Sequence, residues 1–403
     1  MDNITHTLVG IALADFATRG RSTKTERRLF VGAGIIAANL PDIDITYSAI
    51  TPPAPLGYLL HHRGHTHTVL GLAALALGLV MAYRMVPIVR RMHIGDRLRL
   101  WALIAGALAS HVLLDALNSY GVHAFYPIDS TWYYGDAVFI FEPWLWVVLG
   151  IAAAWNARSR FARLAVWLPI LILPIVLVSM GLIPIEAAAA LAIVGSIFAW
   201  MAGRMSPRVR AGVALTASVL IIAGLVGLSR LARREAVEYL RPELRGRLVD
   251  VVLTPNPSSP LCWGVIGIEV DEAGGEYVLR RGTLSLKPAW KAPTACASHR
   301  FTGSRRARMI GGGRIALTDE IHQPLAQLRQ LARSNCPVRG WLRFGRAPVI
   351  SGGKIFDLRF GDRIGQNFSY MTLTNGRDAS SCPPFLPGWG TPRADLLGPA
   401  TSR

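Results

Sequence analysis

The sequence predicts a multi-pass α-helical membrane domain followed by a soluble, mainly β outer domain. Three observations predict it. The 403 residues are 51% hydrophobic and only 17% charged, against about a quarter charged in an ordinary soluble domain. Apolar runs fill the first part of the chain. After about Leu231 they give way to short alternating runs broken by Gly, Pro, Asn and Ser. The reading therefore divides the chain into a membrane domain at 1–230 and an outer domain at 231–403.

The elements follow in order. The runs at 4–18 and 29–40 fall short of the roughly 20 residues a spanning helix needs and read as two short tilted or re-entrant helices. The first is no cleavable signal peptide, because it lacks a basic start and carries His6 and Asp15. The runs at 69–86, 100–117, 137–155, 164–183, 187–203 and 211–228 give about six full spans. Beyond them "RLVDVVLTP", "LCWGVIGIEV", "EYVLRRGTLSL" and "KIFDLRF" read as strands. The stretch 318–333, "TDEIHQPLAQLRQLAR", reads as a helix capped by Thr318.

Charge orients the helices. If the apolar segments alternate from an outside N-terminus, the inside loops hold Arg19, Arg21, Lys24, Arg27 and Arg28; then Arg84, Arg90, Arg91, Arg97 and Arg99; then Arg158, Arg160 and Arg163; then Arg204, Arg208 and Arg210. The outside loops before the last helix hold Arg63 alone. That asymmetry places the outer domain outside the membrane. Cys262, Cys296, Cys336 and Cys382 all lie in that domain, so two disulfides are expected, with three connectivities open. Lys and Arg outnumber Asp and Glu there. On a domain held at a membrane, this excess points to anionic headgroups, and no nucleic acid is expected.

In this topology His6, Asp42 and Asp44 of "PDID", the cluster "HHRGHTH" (61–67), and His111 and Asp115 of "HVLLD" converge on the outer face. Imidazole and carboxylate without thiolate suit zinc or a similar divalent ion. His111 and Asp115 are four apart and share one helix face. Ionisable groups inside an apolar helix mark function. One Asp of "PDID" is free to ligate while the other orients a ligand or a water. Arg63 matches a phosphate or carboxylate. His123 and Glu142 lie on the same side as weaker candidates, whereas His93, His299 and His322 read as surface or structural residues.

These motifs resemble the YdjM-type family of bacterial membrane-bound, predicted metal-dependent hydrolases. The likeness rests on "THTLVG" with His6, on "PDID", on "HRGHTHT" (62–68) and on "HVLLD", over roughly residues 1–160. Thr68 stands where the pattern usually has Ser, and His61 and His65 fall outside its fixed positions. The motif order is also remotely similar to that of zinc-dependent phospholipase C and single-strand nucleases. That likeness implies His6, Asp42 or Asp44, His67, His111 and Asp115 as ligands of one to three metal ions. The metal set expected is His6, Asp42, His62, His67, His111 and Asp115, with Asp44 and Arg63 as catalytic partners.

The resulting expectation is an inner-membrane phosphoesterase acting on a lipid or membrane-associated phosphate. Its rival is a non-catalytic metal-binding or pH-sensing protein that binds a partner through the outer domain. A metal transporter is disfavoured because the ligands gather on one face.

Overall fold

The computed structural model describes residues 1–398 apart from 19–22, 49, 52–54, 297–306, 363–365, 374–379, 381 and 384. Arg19, Arg21 and His299 lie outside the described residues.

Helix α1 (Asn3–Ala17) is capped by the Asp2 carboxylate, which accepts from the Thr5 amide at 2.9 Å. Helix α2 (Lys24–Asn39) opens with a capping box between Thr23 and Glu26. Pro41 ends α2 in a turn of 3₁₀ helix, and with a short helix to Ser48 the whole segment is long and apolar enough to cross a membrane. The second short run is thus longer than its apolar core suggested; the first remains a 15-residue helix. The two helices cross at Gly10 and Gly34. A Cβ on either would lie 2.3–2.4 Å from the other's carbonyl oxygen, a small-residue contact of the kind that lets membrane helices touch through backbone.

The histidine cluster sits in a sharply bent helical segment, a broken span or a re-entrant loop by its geometry. The segment Leu56–His67 bends by 66° from α3 (Val69–Met85). Then come α4 (Ile94–Ala116), α5 (Pro143–Asn156), α6 (Arg160–Ser179), α7 (Ile185–Ala202) and α8 (Pro207–Leu240). α6 buries little of its surface and faces outward, as a lipid-facing helix does. α8 has 34 residues, about 51 Å at 1.5 Å per residue, well beyond the ~30 Å of a hydrocarbon core. The boundary read near Leu231 therefore falls inside this helix. Its last turns carry Ala232, Ala236 and Leu240 into the β core.

Two polar clusters mark opposite ends of the bundle. At one end Asp15 accepts from Arg27 (2.6 Å) and Asn156 (2.8 Å), and Asn156 accepts from Arg210 (2.5 Å). This gathers the ends of α1, α2, α5 and α8 beside the basic loops. His6, Asp42, Asp44, His67, His111 and Asp115 lie at the other end, the side to which α8 delivers the β domain.

The outer domain is a five-stranded antiparallel sheet in the order β1-β2-β3-β5-β4 and a three-stranded sheet β6-β7-β8. The strands are β1 (Arg247–Asn256), β2 (Ser259–Asp271), β3 (Glu276–Ser285), β4 (Arg308–Ile310), β5 (Ile315–Pro324), β6 (Pro348–Ser351), β7 (Lys354–Asp357) and β8 (Met371–Thr372). One face of the large sheet packs Val251, Leu253, Trp263 and Val265 on the end of α8. The other packs Val252, Ile266, Ile268 and Leu279 into a core that includes Leu56, Leu59 and Leu60 from the histidine segment.

The helix expected over 318–333 is corrected. Residues up to Pro324 form β5, paired with β3 from Glu276↔Pro324 to Leu284↔Ile315. Only Leu325–Ser334 is helix α9. Thr318 does not cap it: its hydroxyl donates across the sheet to the Arg281 carbonyl at 3.2 Å. Tertiary pairing overrides the local helical signal. Cys262 pairs with Cys296 and Cys336 with Cys382, which selects one of the three connectivities.

Candidate metal centre

His67, His111, Asp42 and Asp115 present one donor atom each within 4.8 Å of one another. Nε2 of His67 lies 3.1 Å from Nε2 of His111, 3.6 Å from Asp42 Oδ1 and 3.3 Å from Asp115 Oδ2. Nε2 of His111 lies 3.4 Å from Asp42 Oδ1 and 3.6 Å from Asp115 Oδ2. A tetrahedron with ~2.0–2.2 Å metal bonds has edges of about 3.3–3.6 Å. The spacings match a single ion at the centre.

The outer ring atoms decide the tautomers. His111 Nδ1 faces the Ala38 carbonyl at 2.7 Å, and His67 Nδ1 faces Asp44 Oδ2 at 3.1 Å. A carbonyl and a carboxylate only accept, so each Nδ1 donates. Both neutral rings then aim an Nε2 lone pair at the same point, 3.1 Å apart. Two lone pairs at that separation repel unless a cation lies between them. Asp44, also bonded by Thr66 Oγ1 at 2.8 Å and facing His62 Nδ1 at 3.1 Å, is placed as an orienter of imidazoles. It also belongs to a second possible group with Asp42 and His62.

His6 is fully buried, stacks on His111 with ring centroids 3.8 Å apart, and brings Nε2 within 3.5 Å of Asp115 Oδ1. Among the described residues neither of its ring nitrogens has a hydrogen-bond partner. It belongs to neither group of four or three donors but adjoins the first. The α-amino group of Met1 also lies against Asp115.

Arg63 is buried, 2% exposed. Its Nε meets Asp115 Oδ2 at 3.0 Å, its Nη1 donates to Asn118 Oδ1 at 2.9 Å, and its guanidinium lies over the Tyr120 ring at 4.6 Å.

His123 and Glu142 stay apart from this cluster. His123 is buried between Trp132 and Trp389, with ring centroids 4.4 and 4.0 Å away. Glu142 caps α5 and accepts from the Ser258 amide at 3.2 Å. His61 is buried and turned edge-on to Tyr47, while His65 is exposed and packs near Trp389. His93 is an exposed helix cap, and His322 pairs with Glu276 on the surface. Asn118, Tyr120 and the Ala38 carbonyl escaped the sequence reading, since no spacing marks a side chain that acts only by holding another.

A cavity of about 330 Å³ adjoins the cluster between the two domains. His62, Arg63, Asn118 and Tyr120 line it from the metal side, and Thr254, Gly264 and Thr283 from the sheet.

Fold and site together define a multi-pass membrane protein with a buried His/Asp cluster able to hold a metal ion. Residues 1–188 match the model of the YdjM inner membrane protein family. The match covers α1 to α6 with every residue of the donor cluster, and ends at the start of α7. No curated protein and no solved structure matches the chain.

Proposed function

We propose that this protein is a metal-dependent hydrolase, a phosphoesterase acting on a lipid or membrane-associated phosphate at the outer face of the inner membrane. The observation that carries the metal is the pair of opposed Nε2 lone pairs of His67 and His111. Zinc suits the donor set of two imidazoles and two carboxylates. A divalent ion held there supplies Lewis acidity and a bound water of lowered pKa. Asp44 keeps His67 in the tautomer that ligates. Arg63, on the cavity wall beside Asp115, is the group positioned to meet a phosphate oxygen. The lopsided basic loops support the outward orientation. The exposed Arg230, Arg234 and Arg241 at the outer end of α8 support attraction to anionic headgroups.

A second reading has its own observation. Four protein donors close a tetrahedron, as structural zinc sites do, whereas catalytic sites keep a position open. Catalysis needs a fifth position or a second ion, and His6 with the far oxygen of Asp115 supplies a corner for one. A closed site would be structural or sensory, with the outer domain binding a partner.

Elemental analysis of the purified chain, followed by turnover of bis(p-nitrophenyl) phosphate and of phosphatidic acid with and without chelator, separates the readings. The hydrolase reading expects bound metal and chelator-sensitive turnover. Bound metal with no turnover of either favours the structural site, and no bound metal removes both.

A further inference from the structure

The cavity has two unlike halves. Beside the metal cluster its wall is polar and cationic, with Arg63, His62 and Asn118. Elsewhere the wall is mainly apolar, although the ion-paired Arg281 and Arg359 also line it. Phe139, Ile140 and Leu182 come from the loops at the outer ends of the membrane helices, whereas Phe360 and Phe368 of the β domain pack against Tyr120 beside Arg63. Ile140 and Phe368 are each exposed by more than two-fifths, so apolar surface lies open at this level.

The roof between the halves is a cross-strand row. Thr254 pairs with Gly264, and Gly264 with Thr283, on neighbouring strands β1, β2 and β3. Neighbouring side chains on this face, such as Val252 and Ile266, are large and apolar. At Gly264 the face is bare: an added Cβ would meet nothing nearer than the Thr254 carbonyl at 3.5 Å. The glycine is not forced by backbone crowding, and what its missing side chain leaves is space in the cavity.

We propose that the β domain is the selecting half of the site and that the cavity takes an amphiphile with one apolar chain and an anionic phosphate headgroup. The headgroup lies by Arg63, and the chain runs under the Thr254–Gly264–Thr283 row toward Ile140 and Leu182. The volume of about 330 Å³ lies at the low end of the ~300–1,000 Å³ of small-molecule pockets. It holds a headgroup and part of one chain and excludes a second chain. The inference rests on the proposed function only for the phosphate headgroup.

The test uses the full chain, metal-loaded, in phosphatidylcholine nanodiscs. The probe is a radiolabelled phosphonate analogue of lysophosphatidic acid, which cannot be hydrolysed. Saturable binding above empty nanodiscs is expected, with two-chain phosphatidic acid competing at least tenfold more weakly. Gly264→Leu should weaken binding at least tenfold, and Gly264→Ala by less than threefold. Equal competition by phosphatidic acid, unchanged binding in Gly264→Leu, or no saturable binding overturns the proposal. Binding with this pattern but no turnover of any phosphate ester would sink the hydrolase reading alone. Turnover of the soluble diester without chain binding would sink this inference alone.

Discussion

Arg63 has φ 58°, a left-handed conformation that costs a non-glycine residue on the order of 1 kcal/mol or more. Its contacts to Asp115 and Asn118 hold it there, and the turn it makes sends His62 and His67 to the two sides of Asp44. The cluster's residue types and their gathering on one face were legible in "PDID", "HRGHTHT" and "HVLLD". By sequence Asp42 falls among the ligands and Asp44 is a catalytic partner; that Asp44 instead orients His67 was not legible, because only its surroundings show it. Asp44→Asn should therefore keep the fold and lower metal affinity by about 10–100-fold through loss of the His67 orienter. His111→Ala should release the metal outright. Equal retention in both variants, read by elemental analysis, would undo the assignment. His123, outside the cluster, carries a different prediction. Burial, then the nearby His67 and His65, lowers its pKa to about 3. The folded state thus binds fewer protons than the unfolded one, whose imidazole titrates near 6.5. The stability this gives is present above pH 6.5 and is lost as pH falls toward 3. At pH 5 the loss is about 2 kcal/mol. His123→Phe should flatten the decline of melting temperature between pH 7 and 5; an unchanged slope would assign the decline elsewhere.

Most spans were legible at the element scale because apolar length is a strong signal, and strands β1 to β3 because their alternation is regular; the run at 137–155 was overread, since its helix begins only at Pro143 and has 14 residues, too few for a full span. The stretch 318–333 was misread because the helical period of α9 runs back in sequence into β5, and only pairing with β3 separates them. The burial of Leu56, Leu59 and Leu60 under the β domain was also invisible, since an apolar patch beside a membrane run reads as membrane. The contact of α1 and α2 yields a sharper expectation. Gly10 and Gly34 meet through backbone, so a side chain at either forces the helices apart. Because α1 carries His6 and α2 leads into Asp42, the separation also pulls on the cluster. Gly34→Leu should cost about 1–3 kcal/mol by overpacking and lower bound metal, although position 34 touches no donor. Gly32→Leu, where an added Cβ meets nothing within 4 Å, should do neither. Metal content and thermal melting of the two variants, compared side by side, test the point.

A buried charge helps to tie the two domains. Asp136, in the loop after α4, is fully buried and accepts from Arg346 of the β domain at 2.8 and 2.9 Å and from Arg233 of α8 at 2.6 Å. Arg346 also reaches Asp250 on β1 at 2.7 Å. Removing Asp136 leaves the buried Arg346 with Asp250 as its remaining carboxylate, and breaking a buried pair of this kind costs about 3–5 kcal/mol. The roof of the cavity is thus anchored to the bundle that carries the donors, and the site is a property of both domains. That union has a consequence for orientation. Donor cluster, cavity and β domain share one end of the bundle, and the Asp15–Arg27–Asn156–Arg210 cluster lies at the other beside the basic loops. Whatever side holds the β domain holds the site. Reporter fusions after residues 95 and 205, at the basic end, should score inside, and a fusion after residue 245, where α8 has ended, should score outside. Activity inside at 245 would turn the whole molecule over. It would place the cluster in the cytoplasm and leave Cys262–Cys296 and Cys336–Cys382 in a compartment that reduces such bonds. Thiol labelling without reductant therefore reads the same orientation independently: oxidised cysteines and an outside score must occur together.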